Sequence, residues 1–125
     1  MINLSELVYN EIYPVLVGWK IQIGNTDDSV DRNCSIYETG TAQVIEEYSQ
    51  TGLVGFGIQI RLRGKRDGVQ ELIQTSSDVI ATLYPLLGSF PVYLESYIPN
   101  QRDQEGRGIT TMNFHVFVYG GINSV

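Results

Sequence analysis

The chain has 125 residues, of which 42% are hydrophobic and 18% are charged, and its formal net charge at pH 7 is −6. This length fits one domain, and the composition excludes an intrinsically disordered chain. Cys34 is the only cysteine, which excludes an intrachain disulfide and a cysteine-based metal cluster; we expect it to be buried in a strand. No apolar run approaches about 20 residues and no secretory signal is recognisable, so we expect a cytoplasmic protein without a membrane span.

Hydrophobic periodicity predicts two helices and several short strands, separated by polar turns. The first expected element is a helix capped by Asn3 or Ser5 that weakens at Pro14 and stops at Gly18. We then expect strands at Trp19–Ile23 and Cys34–Glu38, a partly extended connection over Thr39–Gly52 and a strand over Val54–Arg63. The chain continues with a helix over Val69–Tyr84, a strand over Pro91–Ile98, a polar loop over Pro99–Gly108 and a last strand over Ile109–Tyr119.

The clearest alternation lies in the strand that begins at Val54. Val54, Phe56, Ile58, Ile60 and Leu62 fall on one side, and Gly55, Gly57, Gln59, Arg61 and Arg63 fall on the other. The following turn adds Lys65 and Arg66, so that four of the eight positive residues of the chain stand within six positions. One face of this strand is therefore expected to be core, and the other to be a mixed face that carries charge.

Four strands share this pattern, with aliphatic residues on one face and charge, amides and tyrosine on the other. Two amphipathic helices are available to cover the aliphatic face, which predicts one α+β domain, a two-layer sandwich of a mostly antiparallel sheet with both helices on one face. The mixed face carries Tyr93, Tyr97, Phe117 and Tyr119. Aromatic residues together with arginine are typical of interface cores, so this face is expected to bind a partner.

Candidate catalytic groups are few. His115 is the only histidine, and no serine or cysteine is spaced to act with it, so we expect no enzyme and no cofactor; a small hydrolase is the weakest alternative. The loop with Asp27, Asp28 and Asp31 offers oxygen ligands for Ca²⁺, but it lacks the glycine and the terminal glutamate of an EF-hand loop. A solvated acidic loop without a metal is the preferred interpretation.

The basic segment has two interpretations. Arg61, Arg63, Lys65 and Arg66 project from one strand and its turn, which suits a small nucleic-acid-binding module, but the net charge of the chain opposes this function. An acidic surface on a neighbouring copy, such as the Asp27–Asp31 loop, satisfies the same arginines. Separate positive and negative patches on one chain favour head-to-tail association in a ring.

The order of these segments resembles the small tail-terminator, tail-completion and "minor capsid" neck proteins of long-tailed bacteriophages. The resemblance covers most of the chain, and its pieces are "YPVLVGWKIQIGN", "CSIYETG", "GIQIRLRGKR", "VQELIQTSSDVIATL" and "IPNQRDQEGRGITTMNFHVFVY". Arg63 and Gly64 match the end of the family's Arg-Gly strand, and Glu105, Gly106 and Arg107 match its acidic-Gly-Arg loop. The chain departs from clear family members in the Thr39–Gly52 connection and in the short tail after Tyr119.

The resemblance implies a non-catalytic virion protein, assembled in the host cytoplasm as a hexameric ring at the head-proximal end of the tail. Such a ring stops tail-tube polymerisation, docks the head connector and passes DNA only as cargo; a head–tail adaptor is the alternative position. The partners would be further copies, the tail-tube protein and the neck. Contacts are expected at Arg61, Arg63, Lys65, Arg66, Tyr93, Tyr97, Arg102, Glu105, Arg107, His115, Phe117 and Tyr119, with Asp27, Asp28 and Asp31 as the complementary acidic loop.

Overall fold

A computed structural model gives the fold of the protein and describes residues 3–24, 30–44 and 53–119. The elements are α1 (Leu4–Ile12), β1 (Lys20–Ile23), β2 (Asn33–Val44), β3 (Leu53–Arg66), α2 (Val69–Leu83), β4 (Leu86–Leu87), β5 (Phe90–Arg102) and β6 (Arg107–Tyr119). The strands form one sheet in the order β1-β2-β3-β6-β5-β4. β1 and β2 are parallel and the other neighbours are antiparallel, which confirms the expected mostly antiparallel sheet.

Both helices lie where the periodicity predicts them. Asn3 caps α1, because its Oδ1 accepts the backbone N–H of Glu6 at 3.1 Å. α1 ends at Ile12, earlier than the predicted stop at Gly18, and Pro14 explains the difference because it has no N–H to continue the helix. The buried residues of the two helices recur at helical spacing; they are Leu4, Ser5, Val8, Ile12, Leu72, Ser76, Val79 and Leu83.

The aliphatic side of the sheet and both helices share one hydrophobic core. β3 and β6 contribute alternate residues to this core, as predicted, and Ile58, Ile60 and Phe114 are at most 1% exposed. Cys34 is buried in β2, so the expected buried strand cysteine is confirmed, and its burial raises the pKa of the thiol to about 12. The expected α+β class is therefore observed, with both helices packed against the same side of the sheet.

The sheet is not a flat layer. It curls into a half-barrel, so the expected two-layer sandwich is not confirmed. Pairing is irregular between Glu38 and Ala42, between Arg63 and Arg66, and twice within β5. Bulges bend a strand and increase its twist, which is a physical reason for the curl. No helix among the described residues is long and apolar enough to span a membrane.

One irregularity in β5 overturns a face assignment. Tyr97 was expected on the mixed face and Ile98 on the core face, because simple alternation was continued from Val92. The pairing shifts between Leu94 and Ser96, so Tyr97 lies opposite the buried Met112 and Ile98 lies opposite Thr111 on the mixed face. A single extra residue exchanges the two faces, since strand side chains alternate with a period of two.

The expected long loop Pro99–Gly108 is mostly strand. β5 continues to Arg102 and β6 begins at Arg107, which leaves a short turn over residues 103–106. Asp103 forms this turn, because its Oδ1 accepts the backbone N–H groups of Glu105 and Arg107, each at 2.9 Å. Gly106 has a φ of 81°, a left-handed conformation that glycine adopts without strain. The expected extension after Thr39 is confirmed as far as Val44, where β2 ends.

Candidate assembly surfaces

Charged residues from distant parts of the sequence meet at one end of the sheet. Asp31 precedes β2, Arg63 lies near the end of β3, Asp103 and Glu105 form the β5–β6 turn, and Arg107 begins β6. We call these five residues the ionic cluster. Arg63 is only 5% exposed and Arg107 only 9% exposed, although both were expected at the protein surface.

Arg107 is the centre of the ionic cluster. Its Nε donates to Asp31 Oδ1 at 2.5 Å, and its Nη1 lies 2.9 Å from Glu105 Oε2 and 3.5 Å from Asp103 Oδ2. Arg63 Nε lies 3.3 Å from the same Asp103 Oδ2. Three carboxylates thus face two guanidinium groups, and the cluster is compensated within one copy of the chain. Asp31 was expected to face a neighbouring copy, but its partner here is Arg107 of its own chain.

The carboxylate of Asp103 is stabilised in its charged form. Burial alone raises the pKa of Asp103, but the backbone N–H groups of Arg107 and Glu105, the Arg107 guanidinium and the charge of Arg63 outweigh it, so the pKa lies below its ordinary value. The hydrogen bond from Arg107 to Asp31 raises the pKa of Arg107. Both shifts favour the charged forms of Asp103 and Arg107.

A second ion pair was not predicted from the sequence. Arg32 donates from Nε and Nη2 to the two carboxylate oxygens of Glu71, at 2.7 Å and 3.1 Å. The hydrogen bond raises the pKa of Arg32 and lowers that of Glu71. The pair joins the segment before β2 to the first turn of α2, 39 positions away. Nothing in the sequence indicated this pair, because an acid such as Glu71 in the first turn of a helix is favourable without any partner.

The four cations of the basic segment do not form one surface. Lys65 and Arg66 are exposed, Arg61 is partly buried on the mixed face, and Arg63 is buried in the ionic cluster. The predicted contact residue Arg102, on β5, is also exposed. Arg66 donates from Nε to the carbonyl oxygen of Glu105 at 2.9 Å. Asp27 and Asp28, the other two predicted acidic residues, lie outside the described residues. The sequence places the four cations close together, but the fold divides them among three environments.

The mixed face is held by polar side chains of the same chain. Gln59 Nε2 donates to Asn113 Oδ1 at 3.1 Å, and Asn113 Nδ2 donates to Ser96 Oγ at 2.7 Å, which links β3, β6 and β5. His115 Nε2 lies 2.8 Å from Glu95 Oε2. His115 therefore lies on the mixed face as predicted. Among the side chains that the structure describes, no group of three His, Cys, Asp or Glu residues could hold a metal ion.

A row of polar atoms crosses the mixed face beside this network. Gln22, Ser35 and Arg61 are neighbours on β1, β2 and β3. Gln22 Oε1, Ser35 Oγ and Arg61 Nε are buried, and none has a hydrogen-bond partner within the described part of the chain. The centre of the mixed face is thus polar and largely covered.

Exposed apolar side chains instead belong to the two edge strands and to the segments that precede them in the chain. The first group, the β5-edge group, consists of Tyr84, Leu86, Tyr93, Tyr97 and Ile98. The second group, the β1-edge group, consists of Tyr13, Val17 and Ile23, and Val17 is the most exposed at 84%. The one other large hydrophobic exposed among the described residues is Ile73 on α2. Of the predicted contact residues, Tyr93 and Tyr97 belong to the β5-edge group.

The other predicted contact residues lie elsewhere. His115 and Phe117 are half-buried neighbours on the mixed face, with ring centroids 6.4 Å apart, and the side chain of Tyr119 lies outside the described residues. The β1-edge group was missed by sequence analysis because Tyr13 and Val17 were assigned to the first helix. No protein-family model matches the chain, and no curated protein is significantly similar to it.

Proposed function

We propose that the protein is a structural component of a tailed-phage virion that assembles as a ring at the head-proximal end of the tail. There it terminates tail-tube assembly and joins the tail to the head connector. The resemblance of the sequence segments, in their order along the chain, to phage neck proteins supports this function. The two-layer α+β arrangement that this resemblance implies is part of the proposal. The protein acts by association rather than catalysis, and its partners are further copies, the tail-tube protein and a neck protein.

The observation that carries the proposal is the distribution of exposed apolar side chains. Large hydrophobic residues at the surface of a small domain mark interaction sites when they are grouped, and Tyr is among the residues that dominate interface energies. The β5-edge group contains three tyrosines, of which Tyr93 is 57% exposed. A protein that works by binding copies of itself and a tube end needs such surfaces, whereas a solitary domain gains nothing from them.

Two alternatives remain from the sequence. A head–tail adaptor would use the same surfaces one position higher in the neck. A nucleic-acid-binding module gains no support from the ionic cluster, because Arg63 and Arg107 already face Asp103. Its exposed cations, Lys65 and Arg66, stand beside the exposed Asp67. Phosphate binding needs an uncompensated positive face, so the structural function is preferred.

The direct test uses the tail-tube protein of the same virion. Tubes are polymerised with and without the purified protein, and their lengths and ends are examined by negative-stain electron microscopy. We expect shorter tubes with extra density at one end in its presence. Tubes of unchanged length with bare ends would contradict the terminator function. Capture of the head connector by free rings that leave tube length unchanged would favour the adaptor position.

A further inference from the structure

The two edges of the sheet are both open for pairing. β5 spans Phe90–Arg102, but β4 pairs only with Phe90 and Pro91, and the backbone of Tyr93–Arg102 has no outer strand neighbour among the described residues. β1 is the opposite edge, and its outer side likewise has no strand neighbour within residues 3–24, 30–44 and 53–119. An open edge presents unpaired N–H and C=O groups, which are a template for a further strand.

Exposed apolar side chains lie on both open edge strands. Among the nine large hydrophobic residues that are exposed in the described part of the chain, Tyr93, Tyr97 and Ile98 lie on the open part of β5 and Ile23 lies on β1. Tyr13, Val17, Tyr84 and Leu86 belong to the segments just before these strands, and Ile73 lies on α2. Soluble proteins usually protect an edge with lysines or other charges, because an apolar edge aggregates. Here each edge combines open backbone with exposed apolar side chains, which favours an interface, although β5 also carries the exposed Glu95 and Arg102 and β1 begins at Lys20.

We propose that the β5 edge of one copy pairs with the β1 edge of the next copy, so that the sheet continues from subunit to subunit. This inference rests on the proposed ring function and names the surfaces that build the ring. Both surfaces belong to the same chain and differ from each other, so the contact is heterologous. A heterologous contact repeats head to tail and closes into a ring when its rotation angle allows, whereas a twofold contact stops at a dimer.

The strand directions support this pairing. β1 is parallel to β2, and each step from β2 through β3 and β6 to β5 reverses direction, so β1 and β5 run antiparallel within one copy. Two copies in the same orientation therefore join β5 to β1 as an antiparallel pair. Antiparallel neighbours outnumber parallel ones in proteins and can remain stable with one face in water.

The irregularities of β5 favour a short partner strand. Its pairing with β6 shifts between Leu94 and Ser96 and again between Ile98 and Gln101, and Pro99 cannot donate a hydrogen bond. Two β5 strands paired with each other over their full length would meet these interruptions twice. β1 has only four residues, Lys20–Ile23, so a pair centred on the regular stretch Ser96–Ile98 involves much less of the interrupted strand. The geometry therefore favours β5 with β1 over β5 with β5.

The test uses three exposed isoleucines that differ in position but hardly in exposure. Ile98 on β5 is 41% exposed, Ile23 on β1 is 45% exposed and Ile73 on α2 is 46% exposed. Ile98→Lys blocks one edge, Ile23→Lys blocks the other, and Ile73→Lys is the matched control. Because each side chain is exposed, circular dichroism and thermal unfolding should match those of the parent. Sedimentation velocity from micromolar to millimolar concentration then gives the species formed by each variant.

We expect the parent and Ile73→Lys to form the same oligomer. Ile98→Lys and Ile23→Lys should each weaken self-association at least about tenfold, since one desolvated charge costs 1.4 kcal/mol or more, and 1.4 kcal/mol is a factor of ten. Mixing these two variants should restore one intact junction, so that an equimolar mixture forms heterodimers and nothing larger. That complementation distinguishes unlike edges from a twofold β5 contact, in which Ile23→Lys would dimerise alone.

Three results would overturn the inference: both edge variants assembling like the parent, an equimolar mixture that stays monomeric, or a parent that is monomeric throughout the concentration series. Its failure is separate from failure of the proposed function. Rings that cap tail tubes but tolerate both edge variants would refute the edge pairing alone. Edge-paired rings that leave tail tubes unchanged would refute the terminator function alone.

Discussion

The ionic cluster and the β5 edge are opposite kinds of surface, although sequence analysis assigned residues of both to intersubunit contacts. The ionic cluster concentrates charge, but its arginines are buried and face carboxylates of the same chain. The β5 edge also carries two charged residues, Glu95 and Arg102, but these are exposed together with Tyr93, Tyr97 and Ile98, and the backbone lacks an outer strand over Tyr93–Arg102 among the described residues. Charge in a sequence therefore indicates an available surface only when the fold leaves that charge without a partner.

The largest effect is expected from reversing a buried charge of the ionic cluster. Arg63→Glu would place a carboxylate next to Asp103 and should lower the free energy of unfolding by about 3–5 kcal/mol. Lys65→Glu, two residues further along the chain and exposed, should change it by no more than about 0.5 kcal/mol. Urea denaturation followed by circular dichroism measures both. Equal stabilities of the two variants would show that the ionic cluster does not support the fold.

For the same reason, Arg63→Glu and Arg107→Glu are unsuitable as tests of assembly. Loss of a ring in either variant would first reflect a destabilised subunit, because both side chains are buried within the protomer. Arg102→Glu is the better test of charge at this end of the sheet, since Arg102 is exposed. Its monomer should keep the stability of the parent, and any change in association would then report on a contact between subunits.

A smaller effect is expected at the turn that holds the ionic cluster together. Asp103→Asn keeps the side-chain oxygen that accepts the two backbone N–H groups but removes the charge that faces Arg63 and Arg107. Hydrogen bonds to a charged group contribute about 1.5–3 kcal/mol, and partial exposure reduces this, so we expect a loss of about 1–2 kcal/mol. Unfolding in urea at pH 7 measures it. A variant as stable as its parent would contradict the role assigned to Asp103.

The same carboxylates predict how stability depends on pH. The pKa values of Asp103 and Glu71 lie below their ordinary values of 3.8 and 4.5 in the folded chain, so the unfolded chain takes up protons first as pH falls. Their contributions are fully present above about pH 5, and they are lost as pH falls through the unfolded and then the folded pKa values. Thermal unfolding from pH 7 to pH 3 should show this decline.

Asp103→Asn provides the control for the pH series. The variant lacks one of the two titrating groups, so its Tm should fall less steeply between pH 5 and pH 3 than that of the parent. Identical slopes in the two proteins would assign the acid sensitivity to other carboxylates. Glu71→Gln gives the complementary result, since it removes the other group together with its bond to Arg32.

The smallest effect on stability is expected at the β5 edge. Tyr93→Lys replaces a side chain that is 57% exposed, so the free energy of unfolding should change by no more than about 0.5 kcal/mol. Self-association should nevertheless weaken, because the charge would have to be desolvated in the proposed junction. Unfolding in urea and sedimentation velocity on the same sample separate the two effects. A stable variant that associates like the parent would show that Tyr93 lies outside the junction.

Local patterns in the sequence predicted most of the elements correctly. The alternation in β3 identified its core face, the spacing of Leu72, Val79 and Leu83 identified α2, and Asn3 was recognised as a cap. These features depend on neighbours within a few residues, so the sequence contains their physical cause. Boundaries were less accurate where a turn was stabilised by its own side chain, as at Asp103, because polar composition alone reads as a longer loop.

The exposed tyrosines were predicted more accurately than the charges. Tyr93 is exposed and lies opposite His115 on the mixed face, as predicted, but the assignment of Tyr97 to the mixed face was wrong by one bulge. The partners of Arg63, Arg107 and Arg32 come from segments up to 76 positions away. No local pattern encodes such a pairing, since it depends on which strand ends the sheet brings together.

What the sequence by itself determined is the α+β class, the mostly antiparallel sheet, the two amphipathic helices and the core faces, because each follows from periodicity over a few residues. Only the tertiary structure decided which charges face each other, which face Tyr97 joins and which strands form the edges. Those outcomes depend on strand order, on bulges and on contacts between distant segments. The same long-range geometry divided one basic run into buried, half-buried and exposed positions, and it left exposed apolar side chains on the two open edge strands.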